Sequence, residues 1–151
     1  MERRQVLIVD DYPGARLVPG LLMYRYDSPL FFANADNFLH RAINAIEGHQ
    51  GPVRWFVLNA EANVQVDITS MDALDELRRH LERRGIVFAL ARVKHELYVD
   101  LERAGFTERI GPDRVYATLP TAVEAYAQWY EQREGVRPPG LPAPPPGSST
   151  T

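Results

Sequence analysis

The sequence predicts an α/β fold, in which a mixed, mostly parallel β-sheet of about four to six strands packs against about four helices. Two patterns carry this prediction. Short apolar runs typical of buried strands alternate with segments whose apolar residues recur as in amphipathic helices. From Val53 onward, each strand-like run leads into such a helix, which favours parallel pairing of successive strands. With 151 residues, 45% hydrophobic and 25% charged, the chain has the composition of one soluble globular domain.

Composition and motifs argue against several classes of function. The net charge of −3 provides no basic footprint for nucleic acid, and the absence of cysteine excludes disulfides, thiol catalysis and cysteine-bound metals. The four histidines have unrelated spacings, and no glycine-rich phosphate loop or nucleophile motif is present. We therefore expect no catalytic residues, no metal and no required cofactor, and hence no enzyme. No apolar run approaches the ~20 residues that cross a membrane, and no signal peptide opens the chain.

The first third of the chain predicts a hairpin followed by a helix. Residues 1–17 are expected to form a linker that contains a short edge strand. Strands at 20–26 and 30–32 flank an Asp-Ser-Pro turn and therefore predict an antiparallel hairpin. Asn34 is expected to cap the helix that follows, and Gly48 to end that helix in the left-handed conformation.

Strands and helices alternate through the rest of the predicted domain, which spans residues 18–134. The predicted elements are a strand at 53–58, a helix at about 70–84, a strand at 86–91, a helix at about 94–104, a strand at 115–119 and a last helix opened by a capping box at Thr121 and Glu124. The proline-rich segment 135–151 lacks the apolar residues needed for a core, so we expect it to be a disordered tail.

The candidate site is the turn between the strand at 53–58 and the helix after it. Asp67, Thr69 and Ser70 lie where backbone N–H groups have no partner inside the helix, and such a terminus favours anions and phosphates. Two interpretations remain open. Thr69 and Asp72 fit a capping box, with Ser70 an equally good cap, so the turn has a purely structural explanation. Alternatively, a hydroxyl accepts or binds phosphate, and Asp67 orients the loop.

Several stretches together resemble a STAS domain, and specifically the cytoplasmic C-terminal STAS domain of SulP-type anion transporters. The most specific of them is the PLFFANA run that opens the first helix. The matching stretches are Val18–Tyr26, Pro29–Ala35, Asp67–Ser70, Gly85–Arg92 and Leu101–Phe106. The resemblance covers about residues 18–130.

This resemblance implies a fold and a cellular context. The fold would be that of bacterial anti-sigma-factor antagonists, a mixed sheet with helices on one principal face. The chain would be the regulatory domain of an anion transporter, with sulfate as the expected anion. It would lie at the cytoplasmic face of the cell membrane, as part of an integral membrane protein. Its partners would be the transmembrane domain of the same transporter and a regulatory protein.

The resemblance also implies ligands for the turn. STAS domains have been proposed to bind nucleotides there, so GTP, GDP or ATP are the candidate ligands. The candidate binding residues are Asp67, Ile68, Thr69, Ser70 and Met71, with Asn34 and Arg92 at neighbouring strand ends. In the antagonist branch the hydroxyl corresponding to Thr69 is phosphorylated. The alternative function is therefore a soluble antagonist-type phosphoswitch that uses Thr69 or Ser70. Here Ile68 replaces a usual hydroxyl residue, and Ser70 stands where glycine is common.

A third reading, an enzyme acting on phosphorylated small molecules, would need an acid and a nucleophile in a pocket. The sequence offers neither of these groups.

Overall fold

The computed structural model describes residues 18–26, 32–49, 51–60 and 67–141. Within these ranges the chain forms strands, α-helices and two short 3-10 turns. In chain order the elements are β1 (Leu21–Arg25), a 3-10 turn (Phe32–Asn34), α1 (Ala35–Glu47), β2 (Trp55–Asn59), α2 (Ile68–Arg83), β3 (Val87–Ala91), α3 (His95–Arg103), α4 (Phe106–Ile110), a second 3-10 turn (Pro112–Arg114) and α5 (Leu119–Glu134).

The described strands form one parallel sheet in the order β1-β2-β3. β2 lies in the centre, and all five of its residues are buried, as the nearly continuous apolar run at 53–58 predicts. The strands end in register, with Asn59 paired to Arg25 on one side and to Ala91 on the other. The predicted α/β fold with a parallel sheet is therefore confirmed. The carboxyl ends of the described strands lie at the same edge of this sheet.

The core consists of two apolar layers, one on each face of the sheet. Leu22, Tyr24 and Tyr26 face the first layer, which also contains buried residues of α1, α2, α3 and α4. Leu21 and Met23 face the second layer, which α5 covers. Alternate residues of a strand point to opposite faces, so a strand apolar at every position requires cover on both sides. The helices thus occupy both faces of the sheet, with all but α5 on the expected principal face.

The predicted antiparallel hairpin is not found in the part of it that the structure describes. β1 pairs in parallel with β2, and the strand expected at 30–32 is not extended at Phe32, which begins a 3-10 turn leading directly into α1. The intervening turn and the edge strand within 1–17 lie outside the described residues. Gly48 has φ −87° and still donates a helical hydrogen bond to the Asn44 carbonyl, so the expected left-handed cap was wrong.

The prediction of a strand at 115–119 was also wrong. This segment makes a single isolated parallel bridge, between Val115 and Leu90. α5 begins at Leu119 because Thr118 caps it, its Oγ1 accepting from the Thr121 N–H at 3.1 Å. The helix thus begins before Thr121, which the sequence favoured as its cap.

The short helix α4 was not predicted. It begins after Gly105, whose φ of +79° turns the chain away from α3. Phe106, its first residue, is fully buried in the core. Five residues are too few for helical periodicity to show, so burial of this one ring positions α4.

The start of the proline-rich segment packs against α5. Arg137 donates two hydrogen bonds to the Glu124 carboxylate, at 3.0 and 3.1 Å, and Pro138 is buried. The arginine holds the pKa of Glu124 below its ordinary value of 4.5 by these hydrogen bonds, against the opposing effect of burial. Residues 142–151 lie outside the described residues.

We expect Gly20→Ala to cost about 3 kcal/mol in the free energy of unfolding. Gly20 has φ +83°, and an added Cβ would lie 2.6 Å from the Tyr126 hydroxyl oxygen, so strain and a steric clash combine. Gly85→Ala is the matched control, because Gly85 has φ +71° and open space around the added atom, for a cost of about 1 kcal/mol. Urea unfolding measures both, and equal losses would contradict the role of the close approach.

We expect Arg137→Met to lower the free energy of unfolding by about 1 kcal/mol near neutral pH, since both partners are partly exposed. The folded-state pKa of Glu124 is lowered, so this stabilisation is present above pH 4.5 and lost as the pH falls through the lowered value. Unfolding curves of wild type and variant should therefore converge in acid. A constant difference across that range would contradict an ionic origin, and Glu124→Gln provides the reciprocal control.

Candidate functional site

Asp67 caps α2 and decides where the helix begins. Its Oδ1 accepts a hydrogen bond from the Ser70 N–H at 2.7 Å, and its backbone carbonyl accepts from the Met71 N–H at 2.9 Å. The helix therefore begins at Ile68, earlier than the sequence predicted, and neither Thr69 nor Ser70 is its cap. The capping box of Thr69 and Asp72 was wrong because a carboxylate two residues upstream reaches the third helical N–H.

The residues of the first turn of α2 differ sharply in exposure. Ser70 is completely buried, and its Oγ has no hydrogen-bond partner among the described residues. Met71 is buried in the core beside it. Thr69 is exposed, and Ile68 is 81% exposed, which is unusual for so large an apolar side chain. A ligand or enzyme that approaches the turn from solvent therefore meets Ile68 and Thr69, and the Ser70 hydroxyl lies beneath the surface.

The Asp67 carboxylate limits what this helix terminus can bind. It occupies the capping position that an anion would take, and its charge already interacts favourably with the helix dipole. An incoming phosphate is therefore repelled by Asp67 unless it takes the carboxylate's place. The groups left for such a ligand are the Thr69 hydroxyl and the first backbone N–H groups, which have no partner inside the helix.

The sheet brings the other predicted residues toward the same edge. Arg92 follows the last residue of β3 and has φ +62°, a left-handed conformation that is uncommon outside glycine. Asn34 ends the 3-10 turn that contacts α2 and stands at the cap position of α1, but its side chain makes no capping hydrogen bond. The Ala60 N–H donates to the Ala91 carbonyl at 2.8 Å, which joins the ends of β2 and β3. Arg92 therefore lies at the carboxyl edge of the sheet, and Asn34 lies on a turn that contacts α2.

Asp75 fixes α2 against α4. Its carboxylate accepts hydrogen bonds from Arg78 at 2.9 Å, Arg79 at 3.0 Å and Arg109 of α4 at 3.0 Å. Burial by itself would raise the pKa of Asp75, but the hydrogen bonds from Arg78 and Arg109 outweigh it and hold the pKa below 3.8. This carboxylate therefore ties the helix that carries the turn to α4.

Two further properties of the described residues bear on the possible chemistry. No three histidine, aspartate or glutamate side chains among them are arranged to hold a metal ion. In the same part of the chain, no helix is both long and apolar enough to span a bilayer.

The capping role of Asp67 and the burial of Ser70 were missed in the sequence. A signal for the first was present, because an aspartate three residues before Ser70 is a common capping arrangement. Ile68 obscured this capping signal, because an isoleucine that is exposed makes it difficult to see in the sequence where the apolar stripe of α2 begins. The burial of Ser70 also had a signal, because Ser70 lies four and seven residues before Leu74 and Leu77 on the apolar stripe of α2.

We expect Asp67→Ala to destabilise the domain by about 1 kcal/mol, the usual cost of losing a helix cap. Asp67→Asn should retain most of that stability, because its amide oxygen can accept the Ser70 N–H. Thr69→Ala should change stability by less than about 0.5 kcal/mol, as at other exposed positions. Thermal or urea unfolding of the three variants measures this order. A larger loss for Thr69→Ala than for Asp67→Ala would restore Thr69 as the cap.

The family model for the STAS domain matches residues 12–122 of the chain. A probable sulfate transporter of Mycobacterium tuberculosis strain H37Rv is 57% identical over 118 residues, which is 78% of this chain and 21% of the transporter. Sulfate transporter 3.1 of Arabidopsis thaliana is 28% identical over 125 residues, covering 77% of this chain and 19% of its own length. The chain thus spans about a fifth of the length of these curated relatives.

Solved structures agree with the sequence comparison. The crystal structure of a sulfate transporter family protein from Wolinella succinogenes has a TM-score of 0.62 and 30% identity, covering 76% of this chain and 89% of that one. The SulP transporter STAS domain from Vibrio cholerae has a TM-score of 0.61 and 24% identity, covering 76% and 86% of the two chains, and supports the fold. The fold, the strand edge and the family match lead to one conclusion: this chain belongs to the STAS domain family, and its relatives are SulP-type sulfate transporters.

Proposed function

We propose that this STAS domain is the cytoplasmic regulatory domain of a SulP-type anion transporter, with sulfate as the anion. The observation that carries the proposal is the 57% identity over 118 residues to a probable sulfate transporter, in which the matched region is 21% of the protein. The partner of the domain is then the transmembrane domain of the same transporter. A regulatory protein is a further partner.

The domain has a surface suited to such a contact. Ile68 exposes an apolar side chain at the strand-end edge, and Thr69 beside it exposes a hydroxyl. α2 is anchored to the core and, through Asp75, to Arg109 of α4, so this end of the helix is held in place. A partner that binds there meets the first turn of a helix whose other face is buried in the core.

A domain exchange tests the regulatory role. The matched domain of the Mycobacterium tuberculosis relative is replaced by this chain, and sulfate uptake is measured in cells that lack their own uptake system. We expect the chimera to transport sulfate and a transporter without the domain to transport less. Leu77→Asp, which places a charge in the core, is the control for a chimera with an unfolded domain. Uptake by the chimera no higher than by the deleted transporter would contradict the proposal.

We further propose that the turn Asp67–Met71 contacts the phosphates of a guanine or adenine nucleotide. The Thr69 hydroxyl and the first N–H groups of α2 would bind the phosphate, with Asn34 and Arg92 nearer the strand ends. The exposure of Thr69 at a helix terminus supports this proposal. The negative charge of the Asp67 carboxylate would weaken phosphate binding at the turn. Removing this charge therefore tests the proposal directly.

We expect Asp67→Asn to bind GTP, GDP or ATP about fivefold more tightly than wild type, because it removes a repelling charge and keeps a capping oxygen. Amide-resolved NMR titration of the isolated domain measures the affinity, with saturable shifts at Asp67–Met71. Thr69→Val should weaken binding in the same assay. Flat or diffuse shifts at millimolar nucleotide, in wild type and Asp67→Asn alike, would leave the turn as a helix cap and docking surface.

The different exposures of the two hydroxyls favour a second candidate function, an antagonist-type phosphoswitch. Thr69 is exposed and accessible to a kinase, whereas Ser70 is completely buried. Thr69 is therefore the phosphoacceptor in this alternative. Phosphopeptide mass spectrometry of the protein from its native cells tests it, with Thr69→Ala as the control. Phosphate on Ser70 alone would contradict the assignment.

A further inference from the structure

The chain turns back along α5 after that helix ends. Gly135 has φ +85°, a left-handed conformation that reverses the direction of the chain. Arg137 then bonds to Glu124, which precedes the end of α5 by about 15 Å along the helix axis. Leu141 packs against the apolar layer beneath α5. Residues 135–141, which we call the strap, therefore lead toward the start of α5.

A cleft of about 300 Å³ lies beside the segment that precedes α5. Val93 and Val115 form its apolar surface, and both belong to the core layer beneath α3. Tyr98 of α3 lines the cleft and packs against the same layer. Tyr116 also lines it but packs against the opposite layer, beneath α5. Tyr98 is therefore the aromatic ring on this side of the sheet.

The polar groups at the cleft can donate hydrogen bonds. Two of them are the Tyr98 hydroxyl and the ring N–H of His95. The third is the backbone N–H of Ala117. This N–H shares a trans peptide with the Tyr116 carbonyl, which accepts from the Val93 N–H at 3.2 Å, so it points away from Val93. The cleft thus suits a ligand that is apolar and supplies hydrogen-bond acceptors.

The chain beyond the strap has a complementary composition. Residues 142–146 read Pro-Ala-Pro-Pro-Pro, and a proline has a backbone carbonyl but no N–H. Proline-rich segments characteristically dock in grooves lined by aromatic side chains. Residues 142–151, which we call the terminal segment, span about 30 Å when extended in the polyproline conformation. This reach exceeds the length of α5, which is about 24 Å, so the terminal segment is long enough to meet the cleft from the end of the strap.

We propose that residues 142–146 dock in this cleft of their own domain. The prolines would pack on the Tyr98 ring and on the two valines, and their carbonyls would accept from the donors at the cleft. Because the strap tethers the terminal segment to α5, its effective concentration is in the millimolar range. A contact with a dissociation constant of about 1 mM would then fill the cleft about half of the time.

This contact gives the proline run a role in the domain, in place of the disordered tail that its composition predicts. The docked segment would cover the outer edge of the sheet beside β3, and a partner that binds this edge would first displace it. The proposal needs neither a nucleotide nor any residue of α2, so it stands independently of the proposed function.

A spin label on the terminal segment tests the contact in the whole chain. The chain contains no cysteine, so Gly147→Cys provides a single labelling site directly after the prolines. We expect the nitroxide to broaden the amide NMR signals of residues 93–98 and 115–117. The signals of α1, which contacts β1 at the other side of the sheet, should not change.

The matched control replaces the four prolines at 142–146 by serine in the same labelled chain, and should at least halve the broadening. Equal broadening with and without the prolines, or no broadening at these residues, would overturn the proposal. Broadening that increases with protein concentration would assign the cleft to the terminal segment of a second copy and would equally overturn a contact within one chain.

A chain that ends at Leu141 provides a second measurement, because it keeps the strap and lacks the terminal segment. A synthetic peptide of residues 142–151 is titrated into it. We expect saturable shifts at residues 93–98 and 115–117, and about fivefold weaker binding in Tyr98→Phe, which keeps the ring and removes one donor. Tyr130→Phe, on the face of the sheet covered by α5, should bind as wild type does. Absence of saturable shifts at millimolar peptide, or wild-type affinity in Tyr98→Phe, would contradict the proposed contact.

Discussion

Burial of β2 on both of its faces is the constraint on which the rest of the structure depends. Phe56 and Leu58 belong to the layer beneath α1 and α2, whereas Trp55 and Val57 belong to the layer beneath α5. A strand with no exposed side needs neighbours on both edges and helices on both faces, and parallel neighbours connected through helices satisfy both needs. Parallel pairing then places the carboxyl ends of β1, β2 and β3 at one edge of the sheet, where the candidate turn lies.

The cap on α2 has consequences well beyond one hydrogen bond. Because Asp67 starts the helix at Ile68, Ser70 is helical and lies on the same face as the buried Leu74 and Leu77, whereas Ile68 and Thr69 are exposed. The same carboxylate that stabilises the helix opposes phosphate at its terminus. Asp67 therefore stabilises the helix and would weaken phosphate binding at its terminus, and Asp67→Asn and Asp67→Ala distinguish these two effects.

The sequence alone predicted the parallel pairing of β2 and β3, since the apolar runs at 53–58 and 86–91 and the helical stripe after Met71 are long enough to show their periodicity, but it did not predict the parallel pairing of β1 with β2. The family resemblance was likewise recognisable in the amino-acid sequence. The Asp67 cap carried a local signal that the exposed Ile68 obscured, whereas the helix at Phe106 and the single bridge in place of the strand at 115–119 are evident only in the folded structure. These short features depend on which distant groups lie within hydrogen-bonding or packing distance, and local residue patterns carry no information about such neighbours.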